Sequence, residues 1–547
     1  MGQRLDTGAV LTFVALAAAI ALGCALRSYL VLSRDFPLND GGLFYTMARD
    51  LQRNGYLIPP TTSYNGGALP FAYPPVGIYA AALVSGAGLM SLLDALRFLP
   101  LGATCLTLVP FALLARELLP SRTAQVGATF AFAVVPRSFD WLLMGGGLTR
   151  AFGFLFALSA IWLMARLFRT GDRRCLAAAA VAAALSVASH VGTAPFLVLS
   201  IVLVFLAYGR SAAGVRWMLL LGLGTAVLSA PWWATVLAQH GLAPFRAASA
   251  TGASIFSGGP ARYHIRVTLA ALGIGTTGEA MAPIVWMLAV VGVVATLVRR
   301  AFLLPIWWLF ILVLDARQGL TFATVPVALL AGLAVADVLV PLTTGRLPAT
   351  RTRGAGLESP APARGGARGW GALVTAAVLA GLIAYSAHWA TNREPSFGGD
   401  GWSLEALAPA ERSAMAWART ATPAGSRFLV VTSAGWSEDR AGEWFPSLAE
   451  RRSIATVQGT EWMPHREFAR MVTLHEKLQS CAERTERCLD QWFATSGLGA
   501  EYLFVPKAPR WPCCRTLVQD LAASPQWERV FDGPGATIFR RRGAPAD

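Results

Sequence analysis

Apolar runs of 14 to 24 residues recur along this chain, and the longer ones can each cross roughly 30 Å of hydrocarbon. They fall at 9–32, 98–115, 123–136, 148–168, 175–190, 194–208, 217–239, 281–298, 301–314, 319–341 and 370–390. Hydrocarbon offers the backbone no hydrogen-bond partners, so runs of this kind close their bonds internally as helices. The spacing therefore predicts a polytopic α-helical membrane protein with about 11 transmembrane helices. Composition agrees, with 55% of the 547 residues hydrophobic and 14% charged. Arg4 is the only basic residue before the first run, which is too long for a cleaved leader and reads as a retained helix.

A further apolar stretch, YPPVGIYAAALVSGAGLMSLL (73–93), sets the parity of every later loop. The basic loops 115–122, 169–174, 209–216, 299–300 and 343–369 fall on one side only if 73–93 does not cross. The positive-inside rule makes that side cytoplasmic. Residues 73–93 are then a helix lying in the outer face, and the outer segments are 33–97, 137–147, about 240–280, 315–318 and the tail after 391. The net charge of +15 is accounted for by the inner loops, and no nucleic-acid module is recognisable.

The chain divides into a membrane domain, 1–390, and a tail, 391–547. Within the first, the Gly-, Pro- and Arg-rich segment 343–369 reads as a flexible cytoplasmic loop. Strand-like runs in the tail at 427–433, 501–506, 527–533 and 536–542 alternate with helical patterns at 464–495 and 514–523. That alternation predicts an extracytoplasmic α/β domain. Residues 441–462 read as an irregular stretch, either a loop facing the acceptor or, since Trp favours interfaces, a contact with the membrane domain. Cys481, Cys488, Cys513 and Cys514 are disulfide candidates, with three connectivities open, whereas their spacing fits no standard zinc pattern.

The outer loops hold the chemistry-bearing residues. RDFPLNDGGLFYTMARDL (34–51) carries Asp35 and Asp40 just beyond the first span. Asp40 with Phe44 or Tyr45, then Tyr73-Pro74-Pro75 at the head of an apolar helix, then Arg97-Phe98-Leu99-Pro100, resembles the GT-C glycosyltransferases. That superfamily includes the protein O-mannosyltransferases, aminoarabinose transferases and oligosaccharyltransferase catalytic subunits. The stretches 145–168 and 315–335 share the likeness, which covers roughly residues 1–340. The chain departs from the pattern in having Asp40-Gly41 for Asp-Glu, Tyr73 for His or Lys, and no Trp-Trp-Asp in the tail.

The resemblance implies inverting transfer of a sugar from a polyprenyl-phosphate donor to an extracytoplasmic acceptor: a cell-envelope glycan, a lipid or a protein. Such a step needs a carboxylate to serve the acceptor and fixed positive charge for the departing phosphate. Asp40 is the candidate base, with a plain turn residue as its alternative, and Asp140 is the second acid, or a partner of Arg137. Arg317, Arg150, Arg262 and Arg266 are candidate phosphate ligands, and Tyr73 and His190 are further substrate-binding candidates. A divalent cation, Mg or Mn, would fall to Asp40 and Asp140. The Ala-, Gly- and Arg-rich composition points to a bacterial cytoplasmic membrane as the setting, with membrane lipid around the chain. A transporter or lipid flippase, or a silent relative that only binds the lipid carrier, is the competing class; mid-span charges and repeated halves would mark a transporter.

The parity argument can be tested by single-cysteine labelling. Cysteines placed at 118 and 171 are expected to label from the cytoplasm and one at 265 from outside; outside labelling of 118 with 171 still inside contradicts it.

Overall fold

Serine caps and helix breakers partition the first 340 residues. In the computed structural model, which describes residues 6–67, 69–250, 261–279, 281–316, 318–344, 365–392, 404–507 and 513–543, the elements run as follows. First come α1 (Thr7–Leu32), α2 (Gly42–Arg53), α3 (Val76–Gly86), α4 (Leu92–Leu118), α5 (Arg122–Val134) and α6 (Gly147–Thr170). Next are α7 (Arg174–Val187), α8 (Thr193–Tyr208), α9 (Ala212–His240), α10 (Ala243–Ala250) and α11 (Ala261–Leu272). The series ends with α12 (Ile284–Val298), α13 (Leu303–Leu314), α14 (Gly319–Ala334), α15 (Val340–Thr343) and α16 (Gly365–Asn392). Ser91, Ser121 and Ser211 accept backbone N–H bonds at the starts of α4, α5 and α9. Two short strands, β1 (Thr61–Thr62) and β2 (Leu69–Pro70), pair in the loop after α2.

Each of the apolar segments expected from the sequence falls on one of these helices. Among the described residues, six helices are long and apolar enough to cross a membrane: α1, α4, α6, α9, the continuous run Gly319–Thr343, and Leu373–Asn392 within α16. α7, α8, α12 and α13 are shorter apolar helices. α3 has 11 residues, about 16 Å at 1.5 Å per residue, too little to cross the hydrocarbon alone. Most of the 343–369 loop lies outside the described residues.

The tail contains α17 (Pro409–Ala421), β3 (Arg427–Val430), α18 (Arg440–Leu448), β4 (Arg452–Ser453), α19 (His465–Gln479) and α20 (Glu486–Ser496). It closes with β5 (Tyr502–Pro506), α21 (Arg515–Ala523), β6 (Trp527–Asp532) and β7 (Ala536–Arg541). The strands form one sheet in the order β4-β3-β5-β7-β6. β3 runs parallel to β4 and β5, while β7 is antiparallel to β5 and β6. Both faces of the sheet are buried. Leu429, Val431, Leu503, Val505 and Phe539 pack with Leu478, Leu489 and Leu517 of α19, α20 and α21. Phe428, Val430, Tyr502, Phe504 and Ile538 point the opposite way, following the two-residue period of a strand.

That second face joins a core that the membrane portion helps to build. Phe36, Leu43, Phe44, Met47, Ile78 and Leu96 of the segment 33–97 pack with Trp444 and Phe445 of α18 and with the sheet. Residues 441–462, expected to be irregular, instead begin with a helix. Asp439 caps α18 by accepting from Gly442 N at 2.8 Å, and an apolar face buries Trp444 and Phe445 completely. Contact with the membrane portion was the correct part of that expectation.

Cys481 is joined to Cys488 and Cys513 to Cys514. Peptide mapping of unreduced protein should recover these two bridges; four free thiols would contradict the pairing and the oxidising compartment together.

Candidate active site

Asp40 sits in a tight turn between α1 and α2. Asn39 (φ 50°) and Gly41 (φ 129°) have positive φ, and a Cβ at position 41 would lie 2.9 Å from Gly145 Cα. The close approach brings the turn onto the head of α6. Gly145 N donates to Leu38 O at 2.6 Å, and Gly146 N donates to Asp40 Oδ1 at 2.9 Å. A Cβ on Gly146 would come within 2.6 Å of Asp40 Oδ2, so the run Gly145-Gly146-Gly147 leaves room for the carboxylate. Arg150 Nη2, one turn into α6, donates to Asp40 Oδ2 at 3.1 Å and to Oδ1 at 3.3 Å. The orphan N–H groups and dipole of a helix N-terminus favour an anion at this position.

Burial alone would push the Asp40 carboxyl upward. The Arg150 and Arg440 guanidinium groups and the Gly146 N–H outweigh it, and the carboxyl lies below its ordinary value. It is therefore ionised at neutral pH, a weak base and a strong orienting acceptor.

The other side of the turn rests on the tail. Gly41 N donates to Glu443 Oε1 at 2.7 Å, Trp444 Nε1 to Asn39 O at 2.8 Å, and Ser447 Oγ to Gly42 O at 2.6 Å. Tyr64 O–H donates to Glu443 O at 2.6 Å, and Arg440 Nη1 to Glu443 Oε2 at 3.3 Å. Burial, then the nearby Asp40 charge, pushes the Glu443 carboxyl up to about 7. Glu443 and Arg440 were not among the candidates read from the sequence. The capping Asp439 followed by an Arg-x-x-Glu pair was the local signal, but nothing local tells that the pair faces residue 40, 400 positions earlier.

The sequence candidates separate into groups. Arg150 and Asp40 meet directly. Arg150 also lies over the Trp141 ring at 5.2 Å, and its Nε is buried with no hydrogen-bond acceptor among the described residues. His190, in the turn between α7 and α8, bonds through Nδ1 to Thr193 Oγ1 at 2.9 Å, close enough to Arg150 to feel its charge. Gln318, at the head of α14, packs against Gly192 in the same turn. Tyr73 packs between Phe44, edge to face at 5.0 Å, and the tilted ring of Trp462 at 4.8 Å, and burial raises its phenol above the ordinary value.

Asp140 is buried in a 3-10 turn, Asp140–Leu142, where it interacts with Arg27. Arg27 in turn donates to Ala133 O and Ser138 Oγ, tying α1 to the end of α5. Arg262 and Arg266 are exposed on α11, and Arg317 lies outside the described residues. Asp35 pairs with Arg412 of the tail and is largely exposed. Among the described residues no three His, Cys, Asp or Glu side chains gather as a metal site. The Asp40 oxygens accept from Gly146 N–H and from Arg150, so a cation at the site expected from the sequence would have to compete with that guanidinium.

No family model and no curated protein matches the chain by sequence. Solved structures match it by fold. The archaeal oligosaccharyltransferase AglB from Archaeoglobus fulgidus, in complex with an inhibitory peptide and a dolichol-phosphate, aligns at TM-score 0.52 and 13% identity, over 90% of this chain and 69% of AglB. ArnT from Cupriavidus metallidurans in the apo state aligns at TM-score 0.50 and 14% identity, over 97% of this chain and 98% of ArnT. The chain shares the GT-C fold. The mycobacterial arabinofuranosyltransferase AftD aligns on the same fold at TM-score 0.52 and 17% identity, over 97% of this chain and 40% of AftD. A GT-C fold together with the long apolar helices makes this a multi-pass membrane protein.

The Asp40–Arg150 pair has a pH signature. A carboxyl held below its unfolded value of about 3.9 contributes stability above that pH, lost as pH falls through the folded value. Arg150→Gln should therefore lower stability at pH 7 by roughly 1.5–3 kcal/mol, with the deficit shrinking below about pH 4. Thermal unfolding in detergent across that range checks it; a pH-independent deficit contradicts it.

Proposed function

We propose that the chain is a membrane glycosyltransferase moving a sugar from a polyprenyl-phosphate-linked donor to an acceptor outside the cytoplasm. The observation that carries this reading is the ionised Asp40 carboxylate set against Arg150 at the head of α6 in a GT-C fold. The dolichol-phosphate bound to AglB supports a polyprenyl carrier for a chain of the same fold.

In the proposed step the acceptor oxygen or nitrogen bonds to the anomeric sugar carbon while the bond from that carbon to the phosphate oxygen breaks. The electron pair leaves with the polyprenyl phosphate, and attack from the opposite face inverts the carbon. Asp40 orients the acceptor O–H or N–H and takes its proton as the new bond forms. Its low basicity makes positioning the larger part of its contribution. Arg150, with the unengaged Nε donor, supplies positive charge to the departing phosphate, and His190 lies close to Arg150. Tyr73, fixed between two aromatic rings, offers a face to a sugar. No step runs through a metal ion. The proposed setting is a bacterial cytoplasmic membrane, with α3 and the tail on its outer side.

A labelled lipid-linked sugar tests the reading. Asp40→Asn should abolish transfer while leaving carrier binding largely intact, and Asp35→Asn, which loses only an exposed ion pair, should be milder. Transfer by Asp40→Asn at the parental rate means that Asp40 is a turn residue and the assignment is wrong. Carrier binding with no transfer by the parental chain identifies the silent relative instead.

A further inference from the structure

The Asp40 turn is gripped from two directions, and only one grip comes from the membrane portion. α18 of the tail contacts the backbone of three of the four residues 39–42: Asn39 O, Gly41 N and Gly42 O accept from or donate to Trp444, Glu443 and Ser447. Glu443 is the contact adjacent to Asp40, and it is 4% exposed. Gly41 has no side chain of its own to offer there, and the space above its N–H is filled by the Glu443 carboxylate.

We infer that Glu443 is a positioning residue that fixes the Asp40 carboxylate in its working place, so that the tail is part of the catalytic apparatus. This rests on the glycosyltransferase reading. One oxygen of Glu443 holds the peptide N–H that follows Asp40, which sets the rotation of the turn. The other holds Arg440, whose charge also bears on Asp40. As long as Glu443 is ionised it divides the influence of Arg440 between two carboxylates.

Protonation would change that division. A proton on Glu443 removes the negative charge that holds Arg440, so the Arg440 guanidinium bears more strongly on Asp40 and weakens it further as a base. The groups facing Glu443 are Asp40 from the turn, Arg440 from its own helix, Glu461, and the hydroxyls of Tyr64 and Tyr73. With the Glu443 carboxyl raised to about 7, its ionised form is present above that pH and is lost as pH falls through it.

The experiment compares purified full-length parental chain with Glu443→Ala and Glu443→Gln, using labelled lipid-linked sugar. In Glu443→Ala, kcat is expected to fall at least about tenfold with KM for the lipid donor unchanged, as misplacement by a fraction of an ångström would give. In Glu443→Gln, fixed in a neutral form, kcat is expected to be reduced and the acid limb of the parental kcat profile near pH 7 to vanish. Should Glu443→Ala fail to fold, Glu443→Gln decides alone by its profile. A parental kcat in Glu443→Ala, or an acid limb near pH 7 persisting in Glu443→Gln, overturns the inference. The two readings fail separately: full transfer by Asp40→Asn sinks the active-site assignment, whereas loss of transfer in Asp40→Asn beside an indifferent Glu443 sinks only this one.

Discussion

Four charged side chains meet where the tail lies on the segment between α1 and α2, in the order Glu443, Arg440, Asp40, Arg150. Their formal charges cancel, and each carboxylate has a backbone N–H as well as a guanidinium. Taking one of these charges away from water with no partner would cost several kcal/mol. Alternation of sign, with a fixed N–H at each acid, is what permits carboxylates so deep in a protein interface. The rest of the site hangs on it: the turn at 39–42 is held open on one side by α6 and on the other by α18.

Apolar packing brings those charges together. The sheet of the tail buries both faces, one under its own helices and the other on the segment 33–97. The tail is thus less a module tethered after the last helix than the second half of a core begun at Phe36. The Tyr73 ring, between Phe44 of the loop and Trp462 of the tail, spans the same seam.

The helices were legible because a hydrocarbon solvent leaves an apolar run of 20 residues little choice. The strands of the tail were legible for a related reason, since Phe428 to Val431 and Tyr502 to Val505 are unbroken apolar runs of strand length. Asp40 and Arg150 could be singled out by position, next to a helix end and after a glycine run. What could not be read was their pairing with each other, or the arrival of Glu443, because contacts 110 and 402 residues apart leave no local trace. α18 was missed because Pro446 and its aromatic residues resemble a loop, and its nine residues are too few for a clear helical period. Arg262 and Arg266 stand out by charge, and charge alone does not distinguish an exposed helix face from a buried ligand.

The shared core also has an order in time. A chain made from its N-terminus emerges with Phe36, Leu43 and Phe44 long before their partners on α18 exist. Gly41 and Glu443 are 402 residues apart, and at roughly 5–20 residues per second the wait is on the order of 20–80 s. For that interval the apolar loop between the first two long helices must be shielded by lipid or by a chaperone. A truncated chain that stops before the tail would leave the loop permanently in that unshielded state, and the cell would see it as a misfolded protein rather than as a smaller working one.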